Sequence, residues 1–161
     1  MPKAISNTSP LLYLYRSGAI NLLSELFEEV WVPVAVENEL LVGRNKGYDA
    51  PNPADYAWLK TATPQTVPSE WLVLDLGAGE IAAMTLALEN PWHVVLLDDL
   101  LARRTAQAAG LQVWGTLRVL LEAKSLGLVA EIEPFVSQLS RAGMWISPNV
   151  RDRILALAGE V

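Results

Sequence analysis

The first apolar run, Lys3-Ala4-Ile5-Ser6, is short, and the polar stretch Asn7-Thr8-Ser9-Pro10 follows it at once. A run of that length reads as a strand, and the polar stretch predicts a helix start with Ser9 as cap and Pro10 at the first helical position. Leu11, Leu12, Leu14 and Tyr15 carry the helix to a stop at Gly18, and Leu22, Leu23 and Leu26 mark a second short one. Glu29-Val30-Trp31-Val32 predicts the next strand. Pro33 then opens a helix in which Val36 and Leu40 share a buried face, with Gly43 as its stop. From Arg44 to Pro68 the chain is rich in Pro, Gly, Asn and Asp and reads as a long excursion with one helical turn at most.

Periodicity resumes beyond Leu72-Val73-Leu74-Asp75-Leu76. Gly77-Ala78-Gly79-Glu80 opens a helix with Ile81, Met84, Thr85 and Leu88 at i, i+3, i+4 and i+7. His93 to Leu97 is a continuous apolar strand ending in Asp98-Asp99, and Ala102, Ala106 and Ala109 give the following helix one face before Gly110. Leu111 to Trp114 is a last short strand. Gly115-Thr116 then starts a helix with Leu117, Leu120 and Leu121 inward and Gly127 as its close.

Strands alternating with helices imply an α/β fold, a parallel sheet with helices on both faces, and such sheets carry their sites beyond the carboxyl ends of the strands. Residues 129–161 hold two more helical patterns, separated by Ser147-Pro148, with Phe135, Leu139, Ile154 and Leu157 as the expected buried positions. They are expected to pack on the core formed by residues 3–128, making residues 1–161 one domain.

Composition narrows the chemistry. An apolar share of 52% and a charged share of 19% exclude disorder. The chain lacks the run of about 20 apolar residues that a membrane span needs, and its amino terminus lacks the regions of a secretory signal, so a cytoplasmic location is expected. There is no cysteine and a single histidine, His93. Disulfides, thiolate zinc sites and cysteine nucleophiles are therefore excluded, and a metal would be held by oxygen or by a single imidazole, which leaves hard cations such as Mg²⁺ or Mn²⁺. A net charge of −6 argues against a protein that coats nucleic acid electrostatically, but not against an enzyme whose acidic pocket is offset by metal.

Four polar positions fall where the expected topology gathers them: Asn7 after the first strand, Glu39 on the helix after the second, Glu80 at a helix start and Asp99 after a central strand. Hydrolysis of a phosphodiester needs a cation to offset transition-state charge and to lower the pKa of an attacking water, and oxygen ligands from separate elements suit that need. Each position also has a plain structural role open to it. Asn7 and Asp99 can cap helices, Glu80 can answer a helix macrodipole, and Glu39 can be one charge on a solvated face. Arg103 and Arg104 suit RNA phosphates or simple solvent exposure. Gly77-Ala78-Gly79 lacks both the dinucleotide fingerprint and the P-loop lysine, which rejects a nucleotide-binding enzyme. His93 stands alone and reads as structural, and the six tryptophans are spread out as packing residues.

Several segments, in this order and spacing, resemble the PIN-domain ribonucleases, in particular the DUF3368 branch. They are Ile5-Ser6-Asn7-Thr8-Ser9-Pro10-Leu11-Leu12-Tyr13-Leu14, Val32-Pro33 with Val36-Glu37-Asn38-Glu39-Leu40, and Leu76-Gly77-Ala78-Gly79-Glu80. Leu96-Leu97-Asp98-Asp99 with Ala102-Arg103-Arg104, and Gly115-Thr116 with Ala123-Lys124, complete the set. The resemblance implies a three-layer α/β/α sandwich that cuts single-stranded RNA with Mg²⁺ or Mn²⁺. It further implies a toxin paired with an antitoxin protein, and a homodimer. It makes Glu39, Glu80 and Asp99 metal ligands with Asp98 beside them, and places Thr8, Ser9 and Arg103 toward substrate. Asn7 departs from the pattern, since the first acid of such sites is usually aspartate. Two outcomes follow from that change: an active site with one cation on Glu39, Glu80 and Asp99, or a catalytically decayed protein that acts through RNA contact or a partner. A receiver-type phosphoacceptor fits poorly, because Lys124 falls within a helix.

Overall fold

The computed structural model describes residues 1–68, 70 and 75–161. The run Leu72 to Leu76 therefore lies mostly outside the described residues. The elements in chain order are β1 (Ala4–Ser6), α1 (Thr8–Arg16), α2 (Leu22–Leu26), β2 (Val30–Pro33), α3 (Val34–Asn45), a 3₁₀ turn (Pro53–Asp55) and β3 (Leu59–Ala62). There follow α4 (Ala78–Glu89), β4 (Val94–Leu96), α5 (Leu100–Ala108), β5 (Gln112–Trp114), α6 (Thr116–Ser125), α7 (Glu133–Arg141) and α8 (Pro148–Leu157).

All five strands are parallel, in the order β3-β2-β1-β4-β5. Alternation along each strand divides the core between the two faces. Ala4, Val30, Val94, Leu96 and Trp114 join one buried cluster, together with residues of α1, α2, α3, α6, α7 and α8. Ile5, Val95 and Val113 join the other, with Ala83, Met84 and Ala87 of α4 and Ala102 and Ala106 of α5. The sheet is thus sandwiched between helical layers, as the alternation of strands and helices predicts. Ile5, Leu96 and Leu97 are fully buried, and each contributes about 2 kcal/mol of apolar burial.

The excursion holds the main surprise. Leu59–Ala62 pairs in parallel with β2 and forms an edge strand, which its sequence hid because Lys60 and Thr61 are exposed. A lysine on an edge strand blocks further strand addition, so edges tolerate the polar pattern that central strands do not. The first helix also starts earlier than expected. Asn7 N donates to Leu96 O at 3.1 Å, which ends the extended backbone at Asn7 and makes it, not Ser9, the residue before the helix. Leu88 and Leu157, expected inside, are exposed, because small Ala83 and Ala87 define the inner face of α4 and Leu155 that of α8. His93 is buried at the amino end of β4 against Trp31, ring centroids 4.4 Å apart, away from the strand ends that matter below.

Residues 129–161 are fastened by Glu160. Its carboxylate accepts from Ile132 N at 2.8 Å and Glu133 N at 3.0 Å, at the start of α7, and pairs with Lys124 of α6 at 2.8 Å. Ile132, Val136, Leu139 and Leu155 lie in the same cluster as β1 and α1. No described helix is long and apolar enough to cross a membrane.

Burial acts to raise the Glu160 pKa, but the bonds from Ile132, Lys124 and Glu133 outweigh it and hold the carboxyl below the usual glutamate range. A carboxyl depressed in the folded state contributes stability that is present at neutral pH and lost as pH falls below about 4.3 through the folded value. Glu160→Gln should cost about 1.5 kcal/mol at pH 7, a Tm drop of roughly 3–6 °C, and the difference should vanish in strong acid. Thermal melts of both proteins across pH 3 to 7 check this.

Candidate functional site

The chain runs from β1 outward to β2 and β3, then returns to β4 on the other side of β1. That reversal opens a crevice at the carboxyl ends of β1 and β4, where Ser6 pairs with Leu96. A cleft of about 340 Å³ lies here, lined by Asn7, Thr8, Ser9, Glu39, Glu80 and Asp99 along with Gly77 and Gly79.

Asn7 leaves β1 with an extended backbone, and its side chain makes no capping hydrogen bond to α1. The residue is 6% exposed and its Oδ1 is buried without a hydrogen-bond partner. A buried amide oxygen left unpaired costs about 1–3 kcal/mol, and such atoms are rare unless a bound group or water answers them. The capping role is therefore not what this side chain does.

Glu39 reaches in from α3. Gly79 N donates to its Oε1 at 3.1 Å and the Thr8 hydroxyl donates to its Oε2. A Cβ placed on Gly79 would sit 2.9 Å from both carboxylate oxygens and 3.0 Å from Asn7 Oδ1. Three oxygens thus converge on one bare α-carbon, and glycine is needed there for close approach.

Glu80 and Asp99 each divide their carboxylate between two tasks. Glu80 Oε1 accepts from Gly77 N at 3.0 Å, tying down the first turn of α4, and Asp99 Oδ2 accepts from Ala102 N at 2.9 Å as the cap of α5. The structural roles expected for them are real, yet each uses one oxygen and both residues still line the cleft.

Asp98 turns away from it. Thr116 N donates to Asp98 Oδ1 at 2.8 Å and the Thr116 hydroxyl to Oδ2 at 2.7 Å, anchoring the start of α6. Burial pushes its carboxyl up, against the opposing pull of Thr116 and the Arg103 charge. Arg103 shares this second place. Its Nη1 lies 3.0 Å from where a Gly115 Cβ would be, with Asp98 Oδ1 at 3.2 Å. Asp98, Arg103, Thr116 and Arg118 line a separate cavity of about 480 Å³. Of the residues expected at the site, Asn7, Thr8, Ser9, Glu39, Glu80 and Asp99 come together, while Asp98 and Arg103 do not join them. Gly79, whose amide holds Glu39, was hidden in the sequence among glycines suited to a helix start.

Among the described residues no three carboxylate or imidazole side chains are grouped so as to hold a metal ion. The donor set still fits a hard cation, because it is all oxygen and includes the unanswered Asn7 Oδ1 beside the Glu39 carboxylate. Mg²⁺ takes one or two protein carboxylates and keeps several waters, so a large acid cluster is not required.

A parallel α/β sheet with an acidic, oxygen-lined cleft at its switch point defines a class of α/β protein suited to cation-assisted chemistry. The chain belongs to the DUF3368 family, a PIN domain, which it matches over residues 3–160 of its 161. PIN domains are generally divalent-metal-dependent nucleases. No curated protein and no solved structure matches the chain.

Gly79→Ala places a methyl group against Glu39 and Asn7, and overpacking of this kind costs about 1–3 kcal/mol. The expected result in urea denaturation is a lower midpoint with an unchanged slope. A midpoint equal to the parent's would show that the three oxygens are free to move aside.

Proposed function

We propose that this protein is a divalent-metal-dependent endoribonuclease acting on single-stranded RNA, with Glu39, Glu80, Asp99 and the Asn7 amide oxygen as the groups that would hold Mg²⁺ or Mn²⁺. The observation that carries the reading is the buried, unanswered Asn7 Oδ1 pointing at the same bare α-carbon as the Glu39 carboxylate. A bound cation supplies neutralisation of phosphoryl charge and a more acidic water. The chain's own residues supply orientation. Thr8 and Gly79 fix the Glu39 carboxylate from two sides, and Ser9 lies at the cleft wall for contact with substrate. Asp99 and Glu80 hold one oxygen each by the helix starts of α5 and α4, so their positions are set before any ligand arrives.

Exposed Val42 lines hollows shared with Glu39, and Val34, Leu41, Leu100 and Leu101 are exposed on the same two helices, α3 and α5, apolar surface that favours a protein contact. That supports the finer reading of a toxin with a protein antitoxin, and of self-association as a homodimer. A second reading, a catalytically decayed RNA-binding or protein-interaction regulator, has one feature in its favour. A neutral amide lines the cleft, and among the described residues no three acids are grouped so as to hold a metal ion.

Labelled single-stranded RNA incubated with Mn²⁺ separates the two. Asp99→Asn preserves the helix cap, since Asn and Asp cap equally well, and removes only the charge. The nuclease reading expects cleavage that EDTA abolishes and that Asp99→Asn reduces about 100-fold. It further expects Asn7→Asp to lower stability in EDTA, through repulsion with Glu39, and to raise it in Mn²⁺. Absence of cleavage by the parent and by Asn7→Asp, with both folded, selects the regulator.

A further inference from the structure

The 480 Å³ cavity beside Asp98 has no part in the cleft, yet it combines features of a built ligand site. Ligand pockets of this size pair apolar walls with a few convergent polar groups. Here Arg103 and Arg118 supply the cationic side. Arg118 packs 4.9 Å over the Trp114 ring and meets Glu122 only through Nε, at 3.5 Å, and among the described residues Arg103 joins no ion pair. Asp98 and Glu122 also line the cavity, so in a chain of net charge −6 its two guanidiniums make it locally balanced rather than acidic. Half-buried Leu117, Met144 and Ile154 form the apolar side. Asp98 and Thr116, which also line it, satisfy each other's hydrogen bonds and hold its wall in place.

We infer that this cavity binds one nucleotide of an RNA strand, its phosphate on Arg103 and Arg118 and its base against Leu117, Met144 and Ile154. A free phosphate would leave the apolar wall unused, and an apolar ligand would leave two guanidiniums unused. A nucleotide uses both. Asp98 and Asp99 are consecutive and face the cavity and the cleft respectively, about 3.8 Å apart along the backbone, so one strand can occupy both hollows. The inference rests on the reading of the protein as one that acts on RNA, and gives that reading a second hold on the strand, tolerant of base identity.

The test is fluorescence anisotropy with a short 5′-labelled single-stranded RNA in EDTA, where nothing is cut. Arg118, whose side chain is 49% exposed, can be removed without emptying the core. Arg118→Ala should weaken binding on the order of tenfold and reduce the slope of log affinity against log salt by about 0.7. Val150→Trp, which crowds the apolar rim, should weaken binding with no change in that slope, and exposed Arg141→Ala should change neither. A 5′-nucleoside monophosphate should compete better than inorganic phosphate or a nucleoside alone. The inference is overturned if the parent binds no RNA, if Arg141→Ala weakens binding as much as Arg118→Ala, if Arg118→Ala and Val150→Trp bind as the parent does, or if inorganic phosphate competes as well as the nucleotide. Loss of binding in Arg118→Ala without Mn²⁺-dependent cleavage by the parent would remove the nuclease reading and keep the nucleotide site. Normal cleavage with unchanged binding in the cavity variants would do the reverse.

Discussion

The parallel pairing of β1 with β4 is the contact on which the cleft depends. Ser6 lies opposite Leu96, and Asn7 N carries the ladder one residue further by bonding to Leu96 O. That last bond holds Asn7 extended while Thr8 already begins a helix, so a polar side chain is delivered to the carboxyl end of the central strand with no hydrogen-bond partner. The same strand end on the β4 side releases Asp98 and Asp99 in opposite directions. Sliding β4 by one residue would exchange the faces of all its side chains and move both aspartates, because side-chain alternation in a strand has a period of two.

Around this junction three helices bring in groups by their starts, while Glu39 comes from the middle of α3. α5 begins on Asp99, α4 on Gly77 with Glu80 reaching back, and α6 on Gly115 with Asp98 holding Thr116. The acids at the strand ends therefore serve twice. They satisfy amide groups that a helix terminus leaves open, and they place negative charge where a cation is useful. Such double use explains why a purely structural reading of Glu80 and Asp99 and a functional one are both correct about the same atoms. Only Asn7 has no structural task to share.

Much of the architecture was legible because central parallel strands are buried on both faces and leave continuous apolar runs, as His93 to Leu97 does. β3 was not, since an edge strand needs one buried side only, and Lys60 and Thr61 removed the signal. Leu88 and Leu157 misled for a related reason: large apolar residues mark a helix face in sequence, whereas the inner faces of α4 and α8 are set by which residues the sheet and α6 can approach closely. At the site, Asn7, Glu39, Glu80 and Asp99 followed from topology and family pattern together. The division of Asp98 from Asp99 did not, because sequence gives two adjacent carboxylates and no means of seeing that Thr116 would take both oxygens of the first.

That division has a consequence for how the protein would handle a polyanion. A net charge of −6 and an acidic cleft repel a phosphate backbone at long range, and a cation at the cleft offsets only the charge at its own position. By turning Asp98 inward onto Thr116, which donates to both of its oxygens, the fold keeps one of two adjacent acids out of the cleft. The acidic cleft and the cavity that holds both arginines then meet at consecutive residues, Asp99 and Asp98. The chain need not be basic overall to hold RNA, provided that two of its cations, Arg103 and Arg118, share a cavity that begins one residue from the cleft.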